Sequence, residues 1–194
     1  MAACNLNLTG IAFSCTDLPV GGLTKIYIGE RSDVISATAG NVTVDDDKTS
    51  ANYGDVTIGA ATGLVTDAGL VELSFNNKDA FSVFTDVKTV SADGVTSTVP
   101  TIAVEVPTMS AAHRDALNEL ASAGAELVAF VETAAGTYHM VGFDYGLYAA
   151  TVDGTSGTGR SEKNRFQITL TGDEDSLALA LTAEQWADVT DSVA

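Results

Sequence analysis

Leu127-Val128-Ala129-Phe130-Val131-Glu132-Thr133-Ala134-Ala135-Gly136-Thr137-Tyr138-His139-Met140-Val141-Gly142-Phe143 decides how this chain folds. Its first five residues form an apolar run too short for a helix and suited to a buried strand. Thr133 to Gly136 has turn chemistry, and Thr137 to Phe143 returns as a second strand. A helix is predicted just upstream. Ser110 is placed to cap it, because a serine hydroxyl accepts from backbone N–H groups that have no intrahelical partner. Ala112, Ala116, Leu117, Leu120 and Ala121 follow at three- and four-residue spacing, with Arg114, Asp115 and Glu119 on the other face. Gly124 stands where a left-handed residue ends a helix. Leu120 and Phe130 are expected to meet where this helix covers the sheet. The segment Met109 to Tyr148 carries strong local structure and no recognisable chemistry.

Working outward, Leu6 and Leu8 mark a first strand stopped by Gly10, and Leu23 to Ile28 a second ended by Gly29. Glu30 to Asp55 reads as a long polar excursion with at most a short strand near Val42 and Val44. Deleting Asn41 to Tyr53 is expected to spare the fold. Short strands are then predicted at Val56 to Ile58, Val71 to Phe75, Phe81 to Lys88, and Ile102 to Val106 between Pro100 and Pro107. Val152 to Gly159 reads as a flexible loop by composition. Phe166, Ile168 and Leu170 alternate with polar residues, and Leu177, Leu179 and Leu181 follow the acidic turn Asp173 to Asp175. Thr182 and Gln185 have capping-box spacing, which predicts a last helical turn through Trp186. The whole is read as a single mainly β domain spanning 1–194, with its long loop at about 30–55. The architecture expected is an antiparallel β-sandwich or open barrel with one flanking α-helix.

Composition narrows the function. The chain has 26 acidic against 9 basic residues and a net charge of −17. Binding a nucleic-acid backbone or an anionic membrane needs clustered cations, which this balance does not supply. The charge fits either a surface that repels polyanions or a salty habitat. No apolar window is long enough to span a membrane, and the start resembles no signal peptide. A cytoplasmic site of folding is therefore expected, with Cys4 and Cys15 reduced and buried; their spacing also allows a disulfide.

Tests for chemistry come back weak. His113 and His139 have no nucleophile elbow or oxyanion signature beside them. Asp45-Asp46-Asp47 lacks the glycine and distal glutamate of a calcium loop. Gly154-Thr155-Ser156-Gly157-Thr158-Gly159 lacks a phosphate-binding lysine in register and leads toward a strand. No catalytic residue, metal site or cofactor is assigned, and the chain is read as no enzyme.

Three places carry a resemblance. They are Cys4…Cys15 followed by Gly21-Gly22-Leu23-Thr24-Lys25-Ile26-Tyr27-Ile28; the hairpin from Gly136 through Tyr145 to Leu147; and the Gly/Thr/Ser loop with Arg160 and Asn164-Arg165-Phe166-Gln167-Ile168-Thr169-Leu170-Thr171-Gly172. In these the chain resembles tailed-phage virion structural proteins of the tail-tube or tail-ring type. The resemblance implies a β-sandwich with one flanking helix and a long loop, self-assembled into rings, commonly hexameric. The stacked rings would enclose a channel through which DNA passes without specific binding. It further implies other virion proteins as partners, and a virion location after assembly in the host cytoplasm. Contacts between subunits are expected to join the acidic Asp45, Asp46 and Asp47 to the basic Arg160, Lys163 and Arg165, with those cations away from the channel. A head-decoration or other accessory virion protein fits the same composition. So does a carbohydrate-binding β-sandwich using Tyr145 and Tyr148.

Overall fold

The computed structural model describes residues 7–8, 11–12, 21–35, 41–45, 49–52, 54–59, 62–73, 82–107, 109–122, 124–157 and 164–190. The strands are β1 (Asn7–Leu8), β2 (Ile11–Ala12), β3 (Leu23–Glu30), β4 (Val42–Val44), β5 (Val56–Ile58), β6 (Val71–Glu72), β7 (Val83–Val90), β8 (Thr96–Pro107), β9 (Leu127–Thr133), β10 (Tyr138–Val141), β11 (Leu147–Thr155), β12 (Arg165–Gly172) and β13 (Leu179–Leu181). The helices are α1 (Arg31–Ile35), α2 (Leu64–Asp67), α3 (Ala111–Ser122) and α4 (Ala183–Thr190). The fold is mainly antiparallel β, and its nine-stranded sheet does not close into a barrel. No helix among the described residues is long and apolar enough to cross a membrane.

That sheet has two halves. One is ordered β13-β10-β9-β3-β6 and the other β11-β12-β8-β7, joined by the single pair Leu147 and Leu127. Strand β9 lies in the middle of the first half, bonded to β10 on one side and β3 on the other. All five residues Leu127 to Val131 are buried. Because side chains alternate along a strand, Leu127, Ala129 and Val131 enter a core between the two halves. Val128 and Phe130 enter a second core on the opposite face. The unbroken apolar run in the sequence is thus a strand buried on both faces.

Each core has its own lid. Leu117 of α3 is buried in the first core and Leu120 packs on its margin. The second is covered by α1, α2, α4 and the β4–β5 hairpin, through Val34, Val42, Val56, Leu64, Trp186 and Val189. Phe130 therefore meets this second lid, not α3 as expected. The Trp186 ring stacks on Tyr138 at 4.9 Å and meets Tyr27 edge-on at 5.8 Å.

The predicted caps are present. Ser110 Oγ accepts from His113 N at 3.1 Å, and Gly124 has φ 53. Thr182 N donates to Gln185 Oε1 at 2.7 Å while Gln185 N donates to Thr182 Oγ1 at 3.2 Å. Gln185 Nε2 also donates to Val56 O, fastening α4 to the hairpin beneath it.

Three expectations need correction. The short strand expected near Val42 and Val44 is β4, paired with the expected β5, but the span from Glu30 to Asp55 also holds α1, entered directly from β3. Val34 and Val42 are buried there, and Asn41 Nδ2 donates to Asp33 O at 3.0 Å. One turn of helix is too short to show a period. Second, β11 continues through Gly154 to Thr155, paired with β12. A Cβ at Gly154 would lie 2.8 Å from the Phe166 ring, so this glycine leaves room for an aromatic ring and does not mark a flexible loop. Third, the described residues hold two short helices, α1 and α2, beyond the flanking helix and the last helical turn that were expected. Cys4 and Cys15 lie outside the described residues.

The chain crosses from one half-sheet to the other at Gly142 to Gly146. Both glycines have positive φ, and a Cβ on either would lie 2.6 Å from residues Glu126 or Leu127. The corner is held by side chains. Arg31 donates to Phe143 O and Asp144 O, each at 2.8 Å, and pairs with Glu126 at 3.1 Å. Buried Glu174 accepts from Asp144 N at 2.8 Å and Tyr145 N at 3.3 Å, while its backbone bonds Thr98 in both directions. Burial raises the Glu174 pKa above the ordinary 4.5, outweighing the two backbone donors and Arg31, which lower it.

Candidate interaction surface

Strands β7 and β8 are paired residue for residue from Val83 with Ala103 to Val90 with Thr96. Only the base of this hairpin touches the core: Phe84 packs on it, with its ring 5.8 Å from His139. Beyond Lys88 the two strands leave the domain as an arm. Its tip is closed by Ser91 N to Val95 O at 2.8 Å and Gly94 N to Ser91 O at 3.0 Å. Ser91 Oγ also accepts from Val95 N at 3.2 Å. The arm and its root nevertheless leave Val87, Val90 and Val95 52%, 68% and 65% exposed. Burying three such side chains is worth on the order of 1 kcal/mol or more each.

The half-sheet β11-β12-β8-β7 turns one face to the first core, and no strand or helix among the described residues covers the other. Two cross-strand rows run over that outer face. One is Val83, Ala103, Thr169, Thr151, and the other Thr85, Thr101, Thr171, Tyr148. Neither row contains a charge, in a chain of net charge −17. Charge enters at one end, in a third row of Glu105, Gln167 and exposed Asp153, with Arg165 beyond it; Arg165 Nη1 is bonded to Glu105 Oε2, and Glu105 is 1% exposed.

Both margins of this half-sheet are open. No strand among the described residues pairs with the far side of β7, and past Leu147 β11 pairs with β12 alone. Four successive antiparallel strands make β7 and β11 run in opposite directions. Next to β11 lies α3, and between α3 and strands β3 and β6 is an apolar groove of about 370 Å³. Its walls include Ile28, Val71, Leu73, Leu117, Leu120 and Leu127. Two carboxylates, Glu30 and Glu119, sit among the lining residues with no cation.

Of the contact residues expected from sequence, Asp45 and Arg165 are described; Asp46, Asp47, Arg160 and Lys163 lie outside the described residues. Asp45 accepts from Ser50 Oγ at 2.7 Å and closes the turn between β4 and β5. That hairpin lies over the second core, whereas Arg165 is at the end of the outer face described above, bonded to Glu105 of its own chain. The structure does not bring the two together within one chain. Tyr145 and Tyr148 are both exposed, and Tyr145 OH reaches Asp175 Oδ2 at 3.5 Å. Burial lowers the His139 pKa, against a smaller raising effect of Asp86, and its Nε2 lies 3.2 Å from Thr137 Oγ1. Among the described residues no group of three His, Cys, Asp or Glu side chains is placed to hold a metal ion.

Sequence reasoning read β7 and β8 as separate strands and missed the arm. The signal was Asp93-Gly94 between two β-branched runs, a turn pair that predicts a hairpin. The two cross-strand rows follow from register, which only pairing reveals. A scan against protein-family models finds no match, and neither the curated proteins nor the solved structures compared with this chain provide one.

Proposed function

We propose that this chain is a structural subunit that assembles with copies of itself, specifically a tail-tube subunit of a tailed-phage virion whose stacked rings form a conduit for DNA. One observation carries the reading: a four-stranded antiparallel half-sheet has two margins that run in opposite directions and, past Leu147, pair with no other strand among the described residues. With that parity, β7 of one copy can pair with β11 of the next and every neighbouring strand stays antiparallel around a closed ring. Pairing would also cover the long β7 margin, an exposed template for association when left bare.

In such a ring the outer face of the half-sheet lines the channel. The lining would be mainly hydroxyl and aliphatic, with Asp153 and the Glu105–Arg165 pair at one end. A passing polyanion would meet few cations to hold its phosphates. Arg165, expected to lie away from the channel, is at one end of this face with its charge offset by Glu105. The acidic remainder of the chain would repel DNA from other surfaces.

Negative-stain electron microscopy of the purified chain tests the proposal. Hollow rings or tubes are the expected result. Dispersed monomers at every concentration would overturn it, and so would particles that decorate a capsid without any channel.

A further inference from the structure

The arm and the groove lie on opposite margins of one molecule. The arm extends the β7 margin, which faces β13: Asp86 Oδ2 accepts from Ala178 N at 2.6 Å, just before that strand. The groove lies at the other side, where α3 spans from β11 toward β6. One is an apolar projection that no described residue covers, and the other an apolar concavity that no described residue fills. Their charges are complementary. Glu30 and Glu119 lie among the groove's lining residues, and the arm places Lys88 between Val87 and Val90. Within its own chain Lys88 Nζ makes a 3.3 Å bond to the Asp175 carbonyl.

We infer that the β7–β8 arm of one copy docks in the α3–β6 groove of a second copy, with Val90 and Val95 against Val71, Leu73 and Leu120 and with Lys88 facing Glu119. The inference rests on the self-assembly proposed above and says where that assembly is anchored. The occupant is another copy for two reasons. Cations are scarce on a chain with 9 basic residues, and the arm supplies one flanked by exposed valines. The α3 wall of the groove also packs beside β11, the margin to which β7 would pair, so arm docking and strand pairing would fall on the same side of the second copy. A projection at one margin that fits a recess at the other is a heterologous contact, which closes rings or propagates.

The test is light scattering of the full-length chain over a concentration series, with microscopy of the same samples. Val90→Asp and Val95→Asp change exposed residues and should leave the circular dichroism and melting temperature unchanged. Each is expected to raise the concentration of half-association at least tenfold. Lys88→Glu should weaken association, and Lys88→Glu combined with Glu119→Lys should recover most of the loss. Glu119→Lys alone, on an exposed helix position, gives the same reading from the groove side if an arm variant fails to fold. Wild-type association by both valine variants, or a charge-swapped pair no better than Lys88→Glu, overturns the docking inference while rings of the wild type leave the assembly proposal standing. A wild type that never associates overturns both.

Discussion

The Asp86 carboxylate accepts a 2.6 Å hydrogen bond from the Ala178 backbone N–H, and so ties the margin of one half-sheet to the chain entering β13 at the margin of the other. The open sheet is latched here by a side chain where a barrel would have ladder bonds. Asp86→Ala should cost about 1–3 kcal/mol, because it leaves the Ala178 N–H without its acceptor. Asp86→Asn keeps an acceptor oxygen and should stay within about 1 kcal/mol of wild type. Denaturant midpoints of the two variants separate a latch from a dispensable contact; equal values would remove the latch.

Glu174 should give the chain a pH signature. Its pKa is raised in the folded state by burial. The folded chain therefore holds the proton more tightly than the unfolded one. Stability from this group is full below the ordinary glutamate value of 4.5 and is lost as pH rises through the raised value. Glu174→Gln carries no such titration. The stability of wild type relative to Glu174→Gln should thus fall as pH increases from below 4.5 toward neutrality, measured by urea midpoints at each pH. A pH-independent difference would contradict the assignment.

His139 titrates the other way. Burial lowers its pKa below the usual 6.5, and Asp86 pulls it partly back. A proton NMR titration should place the His139 midpoint under 6.5 in the folded chain, and Asp86→Asn should move it lower still.

Phe130 and Leu120 are expected to differ sharply. Phe130 has no exposure and fills the second core, so Phe130→Ala should cost about 3–5 kcal/mol. Leu120 is half-buried on the groove wall, and Leu120→Ala should cost roughly half of the 2–5 kcal/mol typical of a buried leucine. Chemical denaturation of both variants checks the ordering.

Gly154→Ala tests whether β11 is a strand. The added methyl meets the Phe166 ring and the Met109 side chain at under 3 Å, and the ring is held in the first core. A loss of about 1–3 kcal/mol is expected from this overpacking. A flexible loop would accept the alanine without loss.

Where a segment was legible in the sequence, several local signals agreed. Ser110, the apolar stripe and Gly124 all specified α3, and the Thr182–Gln185 pair specified the start of α4. The Leu127–Val131 run specified a buried strand, although not that Phe130 would face away from α3. Legibility failed where single turns of helix were held by distant partners. Val34 looks like an isolated valine in a polar segment until the second core gathers it. The same limit hid the candidate surface: Thr85, Thr101, Thr171 and Tyr148 form a row only after four strands are in register.

The pairing of β3 with β9 sets a problem of timing. Tyr27 lies beside Phe130, so β3 emerges from the ribosome about a hundred residues before the strand that will cover its edge. At ordinary elongation rates that interval is roughly 5–20 s. Throughout it Ile26, Tyr27 and Ile28 belong to a nascent chain with no central strand to join. The β9–β10 hairpin is paired over neighbouring residues, so it is the part of this sheet that can form earliest and offer its free edge to β3. Folding nucleated there leaves the N-terminal third in need of protection until the middle of the chain arrives.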